Sequence, residues 1–195
     1  MAFQVGTYAA DIACVRQDWH RRGLGKILLE ASIARAYRDD FNVLMGECSP
    51  VTSLPFWLAQ GFDRYGDIGE WQPVLVRRVL PRRHELPAGR PLVDVVVGFY
   101  PEAVTYGRLA HMLAPIAEHR LRGGLLADGA IQLERRVIGL TDDEPDRKDL
   151  AVRIEVDGVE RCFGKAKHAG AVAAGVRRGR DYASFHMDRL EPPVI

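Results

Sequence analysis

The first 40 residues change from one hydrophobic pattern to another. Residues 8–15 form a short, mostly apolar run of the length typical of a buried strand. From residue 23 to residue 38 the apolar positions recur at intervals of three and four, which is helical spacing. The pattern therefore predicts a strand followed by a helix over residues 23–38, whose apolar face carries Leu24, Ile27, Leu28, Ala31 and Ala34.

The next stretch predicts two more strands and a short helix. Residues 41–47 are an apolar run that we expect to form a strand parallel to the first, because a helix connects the two. Residues 53–60 predict a short helix, and Gly61 is placed to end it in the left-handed conformation. A further strand is expected to begin within residues 61–66, and residues 71–80 predict the last strand of this half.

Beyond residue 90 the pattern again predicts both strands and helices. Residues 91–100 are strongly apolar and predict a strand, and residues 130–140 predict another. Between them, residues 102–121 show roughly helical spacing and predict a helix that Pro115 kinks or divides. Residues 141–149 are charged and predict an exposed loop. The apolar positions of the helix predicted over residues 102–121 are Val104, Leu109, Met112, Leu113 and Ile116.

The last third contains a hairpin signal. Asp157 and Gly158 separate two alternating runs, and this pair favours a two-residue type I′ turn. Small residues over 169–178 predict a helix, and residues 182–190 predict a final strand. The order of elements in this half predicts an α+β domain with mostly antiparallel pairing.

A proline-rich segment divides the chain. Residues 81–91 hold three prolines, a glycine and several charges, a composition that disfavours both helices and strands and is typical of a linker. With 195 residues the chain is long enough for two small domains. We therefore expect one domain over residues 1–80 and another over residues 92–195.

Composition limits the partners. The chain is 47% hydrophobic and 27% charged, with a net charge of +1, so overall charge does not predict a nucleic-acid partner. Basic residues within 164–180 lie near acidic ones, which favours a solvated face. The apolar runs are too short to span a membrane and the first residues do not resemble a signal peptide. Three scattered cysteines indicate a reducing, cytoplasmic location and predict no metal site.

The segment HRRGLGK (residues 20–26) joins the first predicted strand to the first helix. A dinucleotide-binding loop would need a third glycine where Leu28 stands, and a P-loop would need a glycine spacing that the nearest imitation, residues 158–166, lacks. An ordinary basic turn remains an alternative. Nevertheless, a helix N-terminus behind Gly23 and Gly25 presents free N–H groups to a phosphate, and neither glycine has a Cβ atom to block its approach.

Two segments together resemble the GNAT superfamily of acyl-CoA-dependent N-acetyltransferases. HRRGLGK resembles the family's pyrophosphate loop, Q/R-x-x-G-x-G/A, with His20 where the family carries Gln or Arg. FWLAQGF (residues 56–62) resembles the family's FY-x-x-x-GF segment. The order strand, loop, helix, strand, short helix and strand covers residues 8–80. The resemblance implies an α/β fold with a GNAT-like mixed sheet, followed by the α+β domain over residues 92–195.

The resemblance also implies a cofactor and the residues that hold it. The cofactor would be acetyl-CoA or another acyl-CoA, with its pantetheine on the backbone of the first strand and its diphosphate on the glycine loop. The residues at the matching positions are Ile12, Ala13, Cys14, Val15, Arg21, Arg22, Gly23, Leu24, Gly25 and Lys26.

The chain departs from the family at its N-terminus. It starts close to the family's fourth strand, so the mixed sheet lacks the usual N-terminal strands. The strand over residues 8–15 would then have an unpaired apolar edge, which favours aggregation unless something covers it. We expect the cover to come from residues 92–190 or from a second subunit, which makes a homodimer or a protein partner an expectation.

The catalytic groups also depart from the family. Trp57 stands where many members carry a tyrosine acid, and an indole N–H is no practical acid. Glu47, at the end of a predicted strand, is the candidate general base if it is partly buried, and Tyr65 is a distant candidate acid. The leading function is N-acetyl transfer to an amine by direct attack on the thioester. The alternative is a catalytically inactive GNAT-like module that works through residues 92–195.

Overall fold

A computed structural model describes residues 3–5, 10–13, 15, 17–48, 50–65, 74–102, 105, 114–141, 149–181 and 183–192. The chain divides into two compact units, Met1–Leu80 and Pro81–Ile195. Both mix helices with mostly antiparallel strands, so the fold is α+β.

The strands and helices of unit 1 are β1 (Phe3–Val5), β2 (Ala10–Ala13), α1 (Leu24–Arg38), β3 (Val43–Cys48), α2 (Leu54–Ala59), β4 (Asp63–Arg64) and β5 (Val74–Val79). From β2 onward, the described part of unit 1 follows the predicted order of elements, whereas its first strand, β1, was not predicted. The predicted helices over 23–38 and 53–60 are confirmed. Gly61 has φ of 76°, as expected for the glycine that ends α2.

The strands of unit 1 pair differently from the prediction. β3, β5 and β4 form an antiparallel three-stranded sheet in that order, whereas β2 pairs antiparallel with β1. β2 also lies beside β3, but within the described residues the two strands share no ladder of hydrogen bonds. The predicted parallel ladder is therefore absent there. The edge that we expected another domain or subunit to cover is paired in part by the chain's own first residues, because β1 supplies backbone partners to β2.

The core of unit 1 lies between one face of the three-stranded sheet and the two helices. Trp57 of α2 is its largest side chain and is 6% exposed. It meets the ring of Phe62 edge-on, with the ring centroids 5.0 Å apart. The remaining buried members of this core are Leu29, Cys48, Val74 and Val76.

Unit 2 is built on one large sheet. Its described elements are β6 (Leu92–Pro101), β7 (Ala117–Leu125), β8 (Ile131–Leu140), β9 (Leu150–Val156), β10 (Val159–Lys165), α3 (Ala169–Ala173), β11 (Arg177–Arg178) and β12 (Ser184–Leu190). The strand order is β10-β9-β6-β7-β8-β12-β11, with every pair antiparallel. The apolar sides of these strands share one core, in which Val97, Phe99, Leu133, Ile154 and Met187 are fully buried.

The predicted helix over residues 102–121 is wrong where it can be compared. Residues 117–121 belong to β7, which pairs with β6 along its length. Four of the five positions that carried the helical spacing lie before Pro115, and a proline interrupts a helix. Beyond it the side chains alternate between exposed and buried, which is strand periodicity. Residues 103–104 and 106–113 lie outside the described residues, as do residues 142–148 of the predicted charged loop.

The end of unit 2 confirms the hairpin and shortens the last helix. Asp157 and Gly158 have φ of 48° and 76°, and they connect β9 to β10 as the type I′ turn requires. α3 covers only the first half of the helix predicted over 169–178. Gly175, with φ of 106°, turns the chain beside the backbone of Arg189, where a Cβ atom would collide with its carbonyl oxygen.

The proline-rich segment is bonded to the sheet of unit 2. His84 N donates to Glu134 O at 2.9 Å, and Arg136 N donates to Arg82 O at 2.9 Å. The His84 side chain lies 2.8 Å from a carboxylate oxygen of Asp188 on β12. The backbone around Arg83 thus pairs with the part of β8 around Arg135, beyond the residues that β7 pairs with. The boundary between the units falls between residues 80 and 81.

Candidate functional site

The loop before α1 reverses the chain through two left-handed residues. Arg21 has φ of 58° and Gly23 has φ of 79°. Gly23 is the N-cap of α1, and its carbonyl oxygen accepts the first intrahelical bond from Ile27 N at 3.2 Å. A glycine suits this cap because a side chain disfavours the left-handed conformation. The sequence therefore builds a sharp entry into the helix.

The first turn of α1 is open to an anion. The N-cap residue Gly23 has no side chain that could bond to the N–H groups of this turn, and the turn contains no acidic residue. By helix geometry, the N–H groups of Leu24, Gly25 and Lys26 have no acceptor within the helix. Their dipoles add to a partial positive charge at this end of the 15-residue helix. The arrangement is chemically suited to a phosphate or another anion.

Three basic side chains surround this turn, and all three are exposed. They are Arg21, Arg22 and Lys26. The Arg22 guanidinium lies 5.1 Å from the centre of the Trp19 ring, within cation–π range. Lys26 Nζ lies 3.8 Å from a carboxylate oxygen of Glu30, one helical turn later. Arg22 is therefore held beside the loop by an aromatic ring, whereas Glu30 offsets part of the charge of Lys26.

The two segments that carry the family resemblance meet in space. A Cβ atom placed on Gly25 would lie 3.6 Å from Cζ of Phe56, which is ordinary van der Waals contact. Phe56 is 36% exposed and packs edge-on against Trp57, with the ring centroids 5.6 Å apart. Trp57 itself belongs to the core of unit 1. Phe56 thus lies beside the first turn of α1.

The backbone expected to hold pantetheine is only partly described. Ile12 and Ala13 lie on β2 and are paired with Gln4 and Phe3 of β1. Cys14 lies outside the described residues. The carbonyl oxygen of Val15 is 2.6 Å from Nε2 of His20. His20, which departs from the family pattern, therefore ties the loop back to the end of the preceding strand.

Glu47 and Tyr65 lie on the same face of the three-stranded sheet. Glu47 is directly opposite Leu75 on β5, and Tyr65 N donates to Leu75 O at 3.2 Å from the other side. The two residues are thus two strand spacings apart, about 10 Å between backbones. The Tyr65 hydroxyl donates to Met45 Sδ at 3.4 Å. Glu47 is exposed, so the partial burial expected for a general base is not found.

The residue that sequence reasoning missed is Arg77. Its guanidinium lies 5.3 Å from the centre of the Tyr65 ring. Along β5, Val74 and Val76 face the core, so Leu75 and Arg77 face the opposite side. The available signal was the geometry of a strand, in which successive side chains point to opposite faces and Arg77 therefore shares a face with Leu75.

The described part of the chain offers neither an activated cysteine nor a group of metal ligands. Cys48 and Cys162 are free thiols, and burial raises the pKa of both, so neither is an activated nucleophile. Over the described positions no three His, Cys, Asp or Glu side chains are grouped closely enough to hold a metal ion. The helices that can be described are all too short or too polar to cross a bilayer.

The chain was compared with known proteins at three levels. No family model, no curated protein and no solved structure matches it.

Proposed function

We propose that unit 1 binds acyl-CoA in the manner of a GNAT-like protein and transfers the acyl group to an amine. The observation that carries the proposal is the contact between Gly25 and Phe56. It brings the HRRGLGK loop and the FWLAQGF segment together at the uncapped end of α1. Two segments that resemble one family's motifs, and that meet at a place suited to a diphosphate, support a shared role.

The position of β2 is a second support. Its described residues pair with β1 on one side, and on the side facing β3 they form no ladder. Backbone groups on such an edge are available to an extended ligand, as in strand addition. A pantetheine arm with two amide groups suits this edge, and its diphosphate would then lie at the helix end that follows.

The chemistry requires little beyond positioning. Glu47 would accept a proton from the ammonium form of the acceptor, and the freed amine would attack the thioester carbonyl carbon. The C–N bond forms and the C–S bond breaks, the nitrogen then releases its second proton to water, and the departing thiolate takes its proton from the Tyr65 hydroxyl or from water. Holding the reactants together supplies the main rate gain in such a reaction.

Calorimetric titration tests which part of the ligand is held. Acetyl-CoA and acetyl-pantetheine share the acyl arm, but acetyl-pantetheine lacks the nucleotide and its diphosphate. We expect acetyl-CoA to bind about 100-fold more tightly or better, because the diphosphate makes charge-assisted hydrogen bonds to the loop. Equal affinities would contradict the assignment of the loop. Tight binding of acetyl-CoA without transfer to any amine would support the alternative of a non-catalytic module.

A further inference from the structure

Two arginines lie directly opposite each other where the proline-rich segment pairs with β8. Arg83 and Arg135 form an isolated antiparallel bridge, and we call them the arginine pair. The backbone bonds on either side of this bridge, both 2.9 Å long, join the residues next to the two arginines, so the arginines exchange no backbone bond with each other. Opposed residues of this kind have Cα atoms about 4.5 Å apart, and their side chains are the closest of any antiparallel pair.

The arginine pair lies on the face of the bridge that Asp188 does not neutralise. Successive side chains of an extended segment point to opposite faces. His84 and Arg136, the residues that follow the two arginines, both bind Oδ1 of Asp188 at 2.8 Å. The arginine pair is therefore on the other face, and both of its members are exposed.

Neither member of the arginine pair is joined to a carboxylate within the described part of the chain. Nη2 of Arg135 donates to the carbonyl oxygen of Arg120 at 3.3 Å, and its other N–H groups have no acceptor there. The Arg83 side chain makes no hydrogen bond or ion pair with a described residue. Glu85 and Glu134 are close to the pair in sequence but form no ion pair with it. Both guanidinium groups therefore keep most of their donors for a ligand.

Neighbouring arginines of the same sheet are arranged differently. Arg120 lies 2.8 Å from a carboxylate oxygen of Glu118, and Arg122 lies 3.0 Å from one of Asp94. The arginine pair has no such partner, and like charges directly opposite each other destabilise a strand pair. An anion bound between the two guanidinium groups would remove this repulsion.

The charge of Arg135 also acts on a neighbouring imidazole. Burial lowers the pKa of His119, the bond to Ile138 O opposes this effect, and the charge of Arg135 lowers the pKa further. The electrostatic potential beside the arginine pair is therefore positive. An anion bound there would raise the pKa of His119, because it would offset the charge of Arg135.

We propose that the arginine pair binds the phosphate group of a small molecule, either inorganic phosphate or a phosphate monoester. Each guanidinium offers a planar set of N–H donors that fits the oxygens of a phosphate, and one dianion balances both positive charges. Because Arg120 and Arg122 are already paired, the unneutralised charge does not continue along β7, as the backbone of a nucleic acid would require. The inference does not depend on the proposed function of unit 1.

NMR titration of the full chain with inorganic phosphate and with glycerol 3-phosphate tests the proposal at the side chains themselves. We expect the Nε–H resonances of Arg83 and Arg135 to shift together, with a Kd in the millimolar range, and the pKa of His119 to rise. The probe that binds more tightly identifies the source of the phosphate. Arg83→Gln should weaken binding about 10-fold or more. Arg122→Gln is the matched control, because it removes an exposed arginine that is paired with Asp94, and it should leave the affinity unchanged.

Thermal unfolding at low ionic strength gives a second readout. Without phosphate, Arg83→Gln should raise the melting temperature, because it relieves the repulsion within the arginine pair. Arg122→Gln should not raise it. Phosphate at ten times its Kd should raise the melting temperature of the natural chain by about 5 °C more than sodium chloride of equal ionic strength. Arg83→Gln should remove most of this difference.

Three results would overturn the inference. The first is phosphate that stabilises the chain no more than sodium chloride does, or that binds the two variants equally well. The second is a set of resonance shifts confined to Arg21 and Arg22, which would place the phosphate at the loop of unit 1. The third is a single strand of about 20 nucleotides that binds more tightly than either probe at about 0.15 M salt and is weakened by both substitutions, as expected for a nucleic-acid surface. Unchanged resonances elsewhere in the spectrum establish that each variant is folded.

Discussion

The ring of Phe56 lies against Gly25, in the first turn of α1, so that a methyl group added there would touch Phe56 Cζ at 3.6 Å. The preceding glycine of the loop, Gly23, has open space around its Cα but holds φ at 79°. The two glycines of one motif are therefore constrained in different ways. Gly23 is required by backbone conformation, whereas Gly25 is limited by the size of the side chain that its neighbour tolerates.

Substituting each glycine with alanine should separate these two constraints. We expect Gly23→Ala to lower the free energy of unfolding of unit 1 by about 1–2 kcal/mol, because alanine is strained in the left-handed region. Gly25→Ala should leave it unchanged or raise it by up to about 1 kcal/mol, since alanine favours helices and its methyl group fits. Urea unfolding measures both. Equal losses would contradict the left-handed cap.

Asp188 in unit 2 neutralises a buried arginine. Two of the Arg136 N–H groups donate to its carboxylate, at 2.8 Å and 2.6 Å, and the Arg136 side chain is 6% exposed. We expect Asp188→Asn to lower the free energy of unfolding by about 1.5–3 kcal/mol, the range for hydrogen bonds to charged groups. The control is Asp94→Asn, which breaks the exposed ion pair with Arg122 and should cost under about 1 kcal/mol.

The same carboxylate predicts an acid-sensitive component of stability. Burial tends to raise the pKa of Asp188, but its bonds to Arg136 and His84 outweigh burial and hold the pKa below its usual value of 3.8. A carboxyl with a depressed pKa stabilises the folded state above the unfolded pKa and loses this effect as pH falls through the folded pKa. Stability should therefore decline below about pH 4. Asp188→Asn should show a shallower decline in urea unfolding.

His119 predicts a second pH window. Burial lowers the pKa of this imidazole below 6.5 and outweighs the opposing bond to Ile138 O, and nearby Arg135 adds to the lowering. The unfolded chain then takes up its proton at a higher pH than the folded chain. Stability should fall as pH decreases from about 6.5 toward the lower folded value. His119→Gln keeps a donor for Ile138 and should remove this dependence between pH 6.5 and pH 5. An unchanged profile would contradict the burial of a neutral imidazole.

Local turn chemistry was the most predictable part of the fold. Asp157 and Gly158 both adopt positive φ, because this pair tolerates the left-handed region that a type I′ turn requires. Gly61 likewise ends α2 where the sequence placed it. These positions depend on two or three neighbouring residues, so sequence alone determines them.

Features set by distant residues were not predictable. Residues 117–121 join β7 because β6 offers a complete edge for pairing, and that edge is invisible in the local pattern. In the same way, the backbone of residues 82–84 is drawn to β8 by Glu134 and Arg136, although its prolines and charges are typical of a linker. Strand pairing and edge completion require knowledge of the partner, which sequence periodicity does not contain.

The candidate site falls between these cases. The sequence predicted a glycine-containing loop before the first helix, and Gly23 of this loop is the N-cap of α1. Glu47 was named correctly as a strand residue, but its exposure depends on which face of the sheet the helices cover. Arg77 was not singled out, because its position beside Tyr65 depends on the pairing of two strands.

The central claim is that the loop before α1 binds the diphosphate of acyl-CoA. Removing two positive charges from this loop, with removal of two from the C-terminal end of α1 as the control, tests the claim most directly. Arg21→Ala/Arg22→Ala alters the loop, whereas Arg35→Ala/Arg38→Ala removes two exposed arginines from the last turn of the same helix. Both double variants lose two positive charges, so a general effect of net charge would act on them equally.

Titration of the full chain and of both variants with acetyl-CoA gives the answer in one calorimetric series. We expect the loop variant to bind acetyl-CoA about 10- to 100-fold more weakly than the natural chain and the last-turn variant to bind it nearly as well as the natural chain. Equal weakening in the two variants, or no binding of acetyl-CoA to the natural chain at millimolar concentration, would contradict it.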